Sequence, residues 1–159
     1  PMACYAAPLT IADIRQAFAY AFDPVTQKGG GLPQLVTFTI HGAFCVGGHE
    51  VIPVPLDHGA RPILGLRFGA FAYLTDCNRI PDASWPMLEG LDVVVIDALR
   101  DRPHPTHFTV AEAVEASRRI AARRTYFTHM CHDLPHAATS ARLPEGVELA
   151  YDWLVVECS

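Results

Sequence analysis

The segment Leu91-Asp-Val-Val-Val-Ile-Asp97 carries the strongest strand signal in the chain. Four β-branched residues stand in a row between two aspartates, and such a continuous apolar run is typical of a strand that is buried on both faces. Strands of this kind occur mainly in parallel sheets whose faces are covered by helices. The segment therefore predicts an α/β fold.

Other segments with strand character lie on both sides of this one. Pro53 and Pro55 interrupt one of them, which predicts an edge or irregular strand because proline has no backbone N–H to donate. Gly69 separates two others, which are expected to pair as a hairpin, and a closing hairpin is expected around Trp153. The predicted strands span residues 35–40, 51–56, 63–68, 70–75, 125–128, 147–150 and 154–157.

Two helices are predicted, one near the N-terminus and one in the second half of the chain. Apolar residues at helical spacing cover residues 11–22, with Thr10 as the expected N-cap. The second helix is expected to begin after Thr109, because Thr109 and Glu112 have the spacing of a capping box. The glycine-rich residues 23–33 are expected to form a loop or a lid. The order of these elements indicates a mixed α/β class.

Composition bounds the classes of protein to which the chain can belong. With 159 residues, it is expected to form a single domain, or the later part of one. Half of the residues are hydrophobic and 18% are charged, which excludes a disordered chain. The net charge of −5 argues against a general nucleic-acid-binding protein, and no apolar run reaches the ~18 residues of a membrane span. Five scattered cysteines without a Cys-x-x-Cys pair indicate free thiols and a cytoplasmic location.

Four predicted strands end at side chains that can bind a metal ion. His58, Asp76, Asp97 and His129 each follow such a strand, or follow it after one polar residue. Sites gather at the carboxyl ends of strands in sheets with crossover helices, and strand ends give the rigid placement that metal ligands need. Imidazole and carboxylate ligands suit zinc, iron or manganese. The recurrence of the pattern predicts a metal site at one edge of the sheet.

A second arrangement of histidines competes with this one. His104-x-x-His107 and His129-x-x-His132 form a pair of His-x-x-His units, and four imidazoles could hold one structural zinc ion. Most structural zinc sites include thiolates, and His104 stands between two prolines in a segment that equally predicts a solvent-exposed loop. Both arrangements share His107 and His129.

Several motifs together resemble the metallo-β-lactamase superfamily, and within it the phosphodiesterase branch that includes the cyclic phosphodiesterases of phosphonate breakdown and is related to the tRNA 3′-processing nucleases. The resemblance covers nearly the whole chain. It rests on the residues 65–76, 91–100, 128–133 and 143–152 and on the motif His104-Pro-Thr-His107.

The resemblance implies a role for each of five residues. His58 matches the histidine that completes the ligand set of the first metal ion, Asp76 matches the carboxylate that bridges two metal ions, and His129 matches a ligand of the second. His107 matches the histidine that contacts the scissile phosphate or protonates the leaving oxygen. Asp97 has no metal role in the pattern, and we expect its carboxylate to orient a neighbouring imidazole.

The fold and chemistry of that superfamily follow as expectations. The resemblance implies an αββα sandwich, of which this chain supplies the C-terminal portion, with two divalent metal ions, zinc or manganese. Such a pair of ions lowers the pKa of a shared water and offsets charge on a phosphodiester. The expected function is hydrolysis of a small phosphodiester by a metal-bound hydroxide, with neither nucleic acid nor a membrane as partner.

The sequence departs from the superfamily pattern at two places. The main signature, His-x-His-x-Asp-His, is absent, and Trp153 stands where a glycine usually follows Tyr-Asp. The first departure removes most ligands of one metal ion, so a non-catalytic binding or assembly module is the alternative function. It also predicts that the chain works as a homo-oligomer or with a complementing N-terminal segment.

Overall fold

The structure is a computed structural model that describes residues 1–23 and 31–158. Most of the glycine-rich segment 23–33 therefore lies outside the described residues. The chain divides into two compact units, Pro1–Phe44 and Cys45–Ser159. In the described part of the chain, no helix has both the length and the apolar character needed to cross a membrane.

The first unit combines a two-stranded parallel sheet with two short helices. Its elements are β1 (Met2–Ala6), α1 (Pro8–Ala17), α2 (Ala19–Phe22) and β2 (Leu35–Thr39). The predicted strand at 35–40 is confirmed, whereas β1 was not predicted. The prediction of Thr10 as the N-cap was wrong, because α1 begins at Pro8 with Ala7 as its N-cap. Proline suits the first turn of a helix, where its missing N–H has no partner to lose.

The second unit is built on the larger sheet. Its strand order is β3-β4-β5-β6-β7-β8-β9, and the strands from β6 to β9 are parallel. The strands are β3 (Phe44–Val46), β4 (His49–His58), β5 (Arg61–Phe68), β6 (Phe71–Leu74), β7 (Val93–Asp97), β8 (Arg124–Thr128) and β9 (Val147–Leu149). β7 contains the segment predicted as a buried strand, and it lies between β6 and β8 with four of its five residues buried. The mixed α/β class is thereby confirmed.

The strand with two prolines lies inside the sheet, so the edge alternative of the prediction was wrong. β4 lies between β3 and β5, and its pairing with β5 runs from Ile52 to His58. Alternate N–H groups along a strand point to opposite neighbours, so Pro53 and Pro55 remove donors from one side only. The neighbour β3 is only three residues long, so the sheet tolerates both prolines.

The predicted closing hairpin at the C-terminus does not form. β9 pairs in parallel with β8, and residues 154–157 are not a strand. Trp153 is 96% exposed and Val155 is 85% exposed, so the apolar side chains there bury no surface that would hold a strand in place. The backbone turns at Trp153 with a φ of 70°, a conformation that glycine adopts more readily than tryptophan.

The helix α3 (Val110–Ile120) covers the core of the second unit. Its capping box is confirmed, because Thr109 Oγ1 accepts from the backbone N–H of Glu112 and the Glu112 carboxylate accepts from that of Thr109. Ala113 and Ile120 pack into the same cluster as β7 and β8. A 3₁₀ helix (Asp82–Leu88) and α4 (His136–Ser140) were not predicted.

Candidate metal centre

Three strand ends of the second unit meet at one edge of the larger sheet. Asp97 is the last residue of β7, His129 directly follows β8, and Asp76 follows β6 by two residues. Because β6, β7 and β8 are neighbours and parallel, their carboxyl ends lie side by side. Asp76 and His129 have φ values of 63° and 60°, which are uncommon for residues other than glycine and recur at functional sites.

Asp76 and His129 are close enough to bind one ion together. The His129 Nε2 atom lies 3.1 Å from the Asp76 carboxylate. His107, which precedes α3, joins them, and one potential ligand atom from each of the three residues lies within 4.8 Å of the other two. A carboxylate with two imidazoles is a donor set that suits zinc or manganese.

Three histidine rings surround that of His107, so four imidazoles form one cluster. The centre of the His107 ring lies 4.8 Å from the ring centres of His58, His104 and His129. His58 is the last residue of β4, so the antiparallel part of the sheet also contributes to the site. The His104 ring is stacked on His107 at an interplanar angle of 18°. His104 was proposed only in the competing four-histidine arrangement.

The competing arrangement is incomplete in the structure. His104, His107 and His129 come together, but the side chain of His132 is 95% exposed and its Nε2 atom lies 3.2 Å from the Asp133 carboxylate. The two His-x-x-His units therefore do not contribute four imidazoles to one compact cluster.

The imidazole of His107 is held in a setting that favours its neutral form. Partial burial lowers its pKa below the usual value, and the neighbouring imidazoles of His129, His58 and His104 lower it further. Its Nδ1 atom is buried, and within residues 1–23 and 31–158 this atom has no hydrogen-bond partner. The nearest acidic group is the carboxylate of Asp97, at 3.8 Å.

Asp97 is a fully buried carboxyl group with several hydrogen-bond donors around it. One of its oxygens accepts from the backbone N–H of Cys77 at 3.0 Å and lies 3.4 Å from the Cys77 thiol. The other accepts from the backbone N–H of Phe108 at 3.3 Å. Burial raises the pKa of Asp97, and the hydrogen bonds from Cys77 and Phe108 oppose that rise. Burial beside Asp97 also raises the pKa of the Cys77 thiol, so this cysteine stays protonated.

The side chains that meet at this edge of the sheet form a donor set that suits a divalent metal ion. Asp76, His107 and His129 converge, and the Asp76 carboxylate and the His129 Nε2 already lie 3.1 Å apart. Asp76 and His129 can hold one ion with His107 beside it, whereas a two-metal site needs about twice as many ligands. All five predicted site residues lie in or beside the cluster, and the structure brings His104 to it as a sixth.

Comparison with protein families gives an independent result. The family model described as a beta-lactamase superfamily domain matches residues 1–130. A crystal structure of a diphosphatase from the PhnP family is 43% identical, superimposes with a TM-score of 0.87 and aligns over 96% of this chain and 56% of that one. The zinc-bound PqqB of Methylobacterium extorquens is 18% identical, with a TM-score of 0.67, over 99% of this chain and 65% of that one.

A curated relative carries a different name. An octanoyltransferase of Porphyromonas gingivalis is 30% identical over 155 residues, which make up 96% of this chain but only 32% of that protein. The chain therefore spans about a third of this curated relative and just over half of the PhnP-family diphosphatase.

Proposed function

Because this chain belongs to the metallo-β-lactamase superfamily, we propose that it contributes the active site of a metal-dependent hydrolase that cleaves small phosphodiesters. The observation that carries the proposal is the convergence of Asp76, His107 and His129 at one edge of the larger sheet. The 43% identity with a PhnP-family diphosphatase supports a phosphate ester as the substrate. Zinc and manganese are the proposed ions.

Asp76 and His129 are the residues that we expect to hold the metal, with His58 as a further ligand. When bound, divalent ions supply a nucleophile at neutral pH and offset the negative charge of the phosphate. Asp76 and His129 are both kept in a left-handed backbone conformation, which directs their side chains from adjacent loops toward each other. The protein thereby fixes the ligand geometry before an ion arrives.

His107 is the proposed proton donor to the leaving oxygen. In the free protein its pKa is lowered, so at neutral pH the ring is mostly neutral and can donate an N–H hydrogen bond to a phosphate oxygen. An anionic phosphodiester beside the ring would favour the protonated imidazole, since an opposite charge stabilises it. Asp97 faces Nδ1 from 3.8 Å and is the proposed group that orients the ring.

Hydrolysis of bis(p-nitrophenyl) phosphate tests this proposal. With added Mn²⁺ or Zn²⁺ the chain is expected to release p-nitrophenol, and EDTA is expected to abolish the reaction. His107→Ala is expected to lower kcat by about 100-fold or more, since positioned acids contribute about 10²–10⁴-fold, while metal content measured by elemental analysis is retained. The control His136→Ala, on α4, is expected to keep wild-type turnover.

The same experiment separates the proposal from its alternative. The described residues bring three metal donors within 4.8 Å of one another, and this small number favours a non-catalytic module that binds one ion or a partner. Bound metal without any turnover would support that module. Turnover that is unaffected by EDTA would contradict the metal chemistry, and turnover that is unaffected by His107→Ala would contradict the role of His107.

We further propose that the chain works in an assembly, either as a homo-oligomer or with a complementing polypeptide segment. Large aromatic side chains are exposed on β1 and β2 of the first unit, where Tyr5 and Phe38 stack at 4.9 Å and are 39% and 44% exposed. Sedimentation velocity is expected to show self-association or dependence on an added segment, and a stable, active monomer would contradict this. The free state of all five cysteines supports a reducing, cytoplasmic setting.

A further inference from the structure

We infer that Asn78 is a positioning residue that sets the distance between the loops carrying His58, Asp76 and His107. This role adds a supporting residue to the proposed metal centre, and it rests on that proposal. Asn78 follows Asp76 by two residues, and it is the only asparagine in the chain. Its amide group connects the loop after β4 with the loop before α3.

The side-chain amide of Asn78 makes two hydrogen bonds in different directions. Its Oδ1 atom accepts from the backbone N–H of Gly59 at 2.8 Å, next to His58. Its Nδ2 atom donates to the carbonyl oxygen of Pro105 at 3.1 Å, two residues before His107. A single side chain therefore links the loops on which two of the clustered imidazoles stand.

The backbone of Asn78 is itself anchored to the end of β4. The N–H of Asn78 donates to the carbonyl oxygen of Asp57 at 2.9 Å, and the N–H of Asp57 donates to the carbonyl oxygen of Arg79 at 3.0 Å. The Arg79 guanidinium also pairs with the Asp57 carboxylate at 2.6 Å, but the Arg79 side chain is 70% exposed and the two backbone hydrogen bonds do not depend on it. The side chain of Asn78 therefore starts from a fixed backbone position, and its length sets the position of Pro105.

Gly59 allows the two loops to approach closely. Its φ is 63°, and a Cβ atom at this position would lie 3.0 Å from Cγ2 of Thr106 and 3.4 Å from the carbonyl oxygen of Pro105. The loops are therefore closely packed at Gly59, and Asn78 is the hydrogen-bonding group beside this contact. The spacing of 4.8 Å between the rings of His58 and His107 depends on both.

Asparagine is the residue type that this position requires. It offers an acceptor and a donor on one short, planar group. Aspartate would keep the acceptor for the Gly59 N–H but would place a second oxygen against the carbonyl of Pro105. Alanine would leave both partners without this bond. The two substitutions therefore separate the link to Gly59 from the link to Pro105.

Three variants test the inference, with three measurements on each. In the metal-free protein, hydrogen exchange at the Gly59 amide is expected to speed up in Asn78→Ala but not in Asn78→Asp. In both variants the ¹H–¹³C signals of the His107 ring are expected to shift. The affinity for Co²⁺, followed by its visible absorption, is expected to fall by about 10- to 100-fold, as is typical when a partner of a metal ligand is lost.

The matched control is Arg79→Ala, which removes the neighbouring ion pair with Asp57 but neither bond of the Asn78 amide. It is expected to keep the slow hydrogen exchange of the Gly59 amide and the positions of the His107 ring signals. Its Co²⁺ affinity is expected to stay within about twofold of the wild type. Wild-type Co²⁺ affinity and unshifted His107 signals in Asn78→Ala would overturn the role of Asn78 but leave the metal centre intact. Absence of Co²⁺ binding by the wild-type chain would instead overturn the proposed function, and the ring signals would still test Asn78.

Discussion

Asp97→Ala is expected to lower the free energy of unfolding by about 2–4 kcal/mol. The variant leaves the backbone N–H groups of Cys77 and Phe108 buried without their acceptor, and each such group costs about 1–3 kcal/mol. Part of this loss is offset because the variant no longer buries a carboxyl group, whose desolvation raises the pKa of Asp97. Urea-induced unfolding of both proteins measures the difference.

The pH dependence of that difference has a defined sign. Since the folded-state pKa of Asp97 is raised, folding favours its protonated form, so its stabilising contribution is greatest below the unfolded pKa of about 3.9. The contribution declines as pH rises through the folded pKa. The gap between wild type and Asp97→Ala is therefore expected to narrow from acidic to neutral pH.

A surface aspartate provides the matched control for Asp97. Asp133→Ala breaks the exposed ion pair with Arg102 and is expected to leave the free energy of unfolding close to that of the wild type, because solvent screens such a pair. If Asp97→Ala were as stable as Asp133→Ala, the hydrogen bonds to Cys77 and Phe108 would not be holding the loops together. Asp97 would then have only its proposed effect on His107.

The parallel part of the sheet was predictable because its signals are local. The run before Asp97 and the capping box at Thr109 each depend on a few consecutive residues, and β7 and α3 formed where these predicted. The polar residues at the strand ends were also visible in the sequence, because apolar runs stop at Asp76 and His129. Parallel pairing of their strands then brings them together.

The elements that were mispredicted depend on distant contacts. β4 is an interior strand despite Pro53 and Pro55, since tolerance of the prolines depends on the short length of β3 beside it. Residues 154–157 have strand character but gain no burial, as the exposure of Val155 indicates. Propensity alone does not report whether a partner strand is available.

The candidate site shows the same division between local and distant signals. His104 lies between Pro103 and Pro105, which predicts an exposed loop, yet its ring stacks on His107. The adjacent Pro105 accepts a hydrogen bond from Asn78, 27 positions earlier in the chain, and such a distant contact is not visible in the local sequence. A motif search could have flagged His104 only through its spacing to His107.

His129→Ala is expected to weaken binding of Zn²⁺ or Mn²⁺ by about 100-fold or more, which is larger than the effect of losing an outer partner. The Nε2 atom of His129 lies 3.1 Å from the Asp76 carboxylate. Removing the imidazole therefore removes one of the two metal donors that lie closest together. His132→Ala is the matched control, because this histidine is three residues away and 95% exposed. It is expected to bind metal like the wild type.

The central claim is that Asp76 and His129 together hold a divalent ion, and a calorimetric Zn²⁺ titration of the wild type, His129→Ala and His132→Ala tests it most directly. The predicted result is saturable binding by the wild type and His132→Ala, and loss of at least about 100-fold in affinity for His129→Ala. Equal binding by all three proteins, or no binding by any of them, would contradict the account.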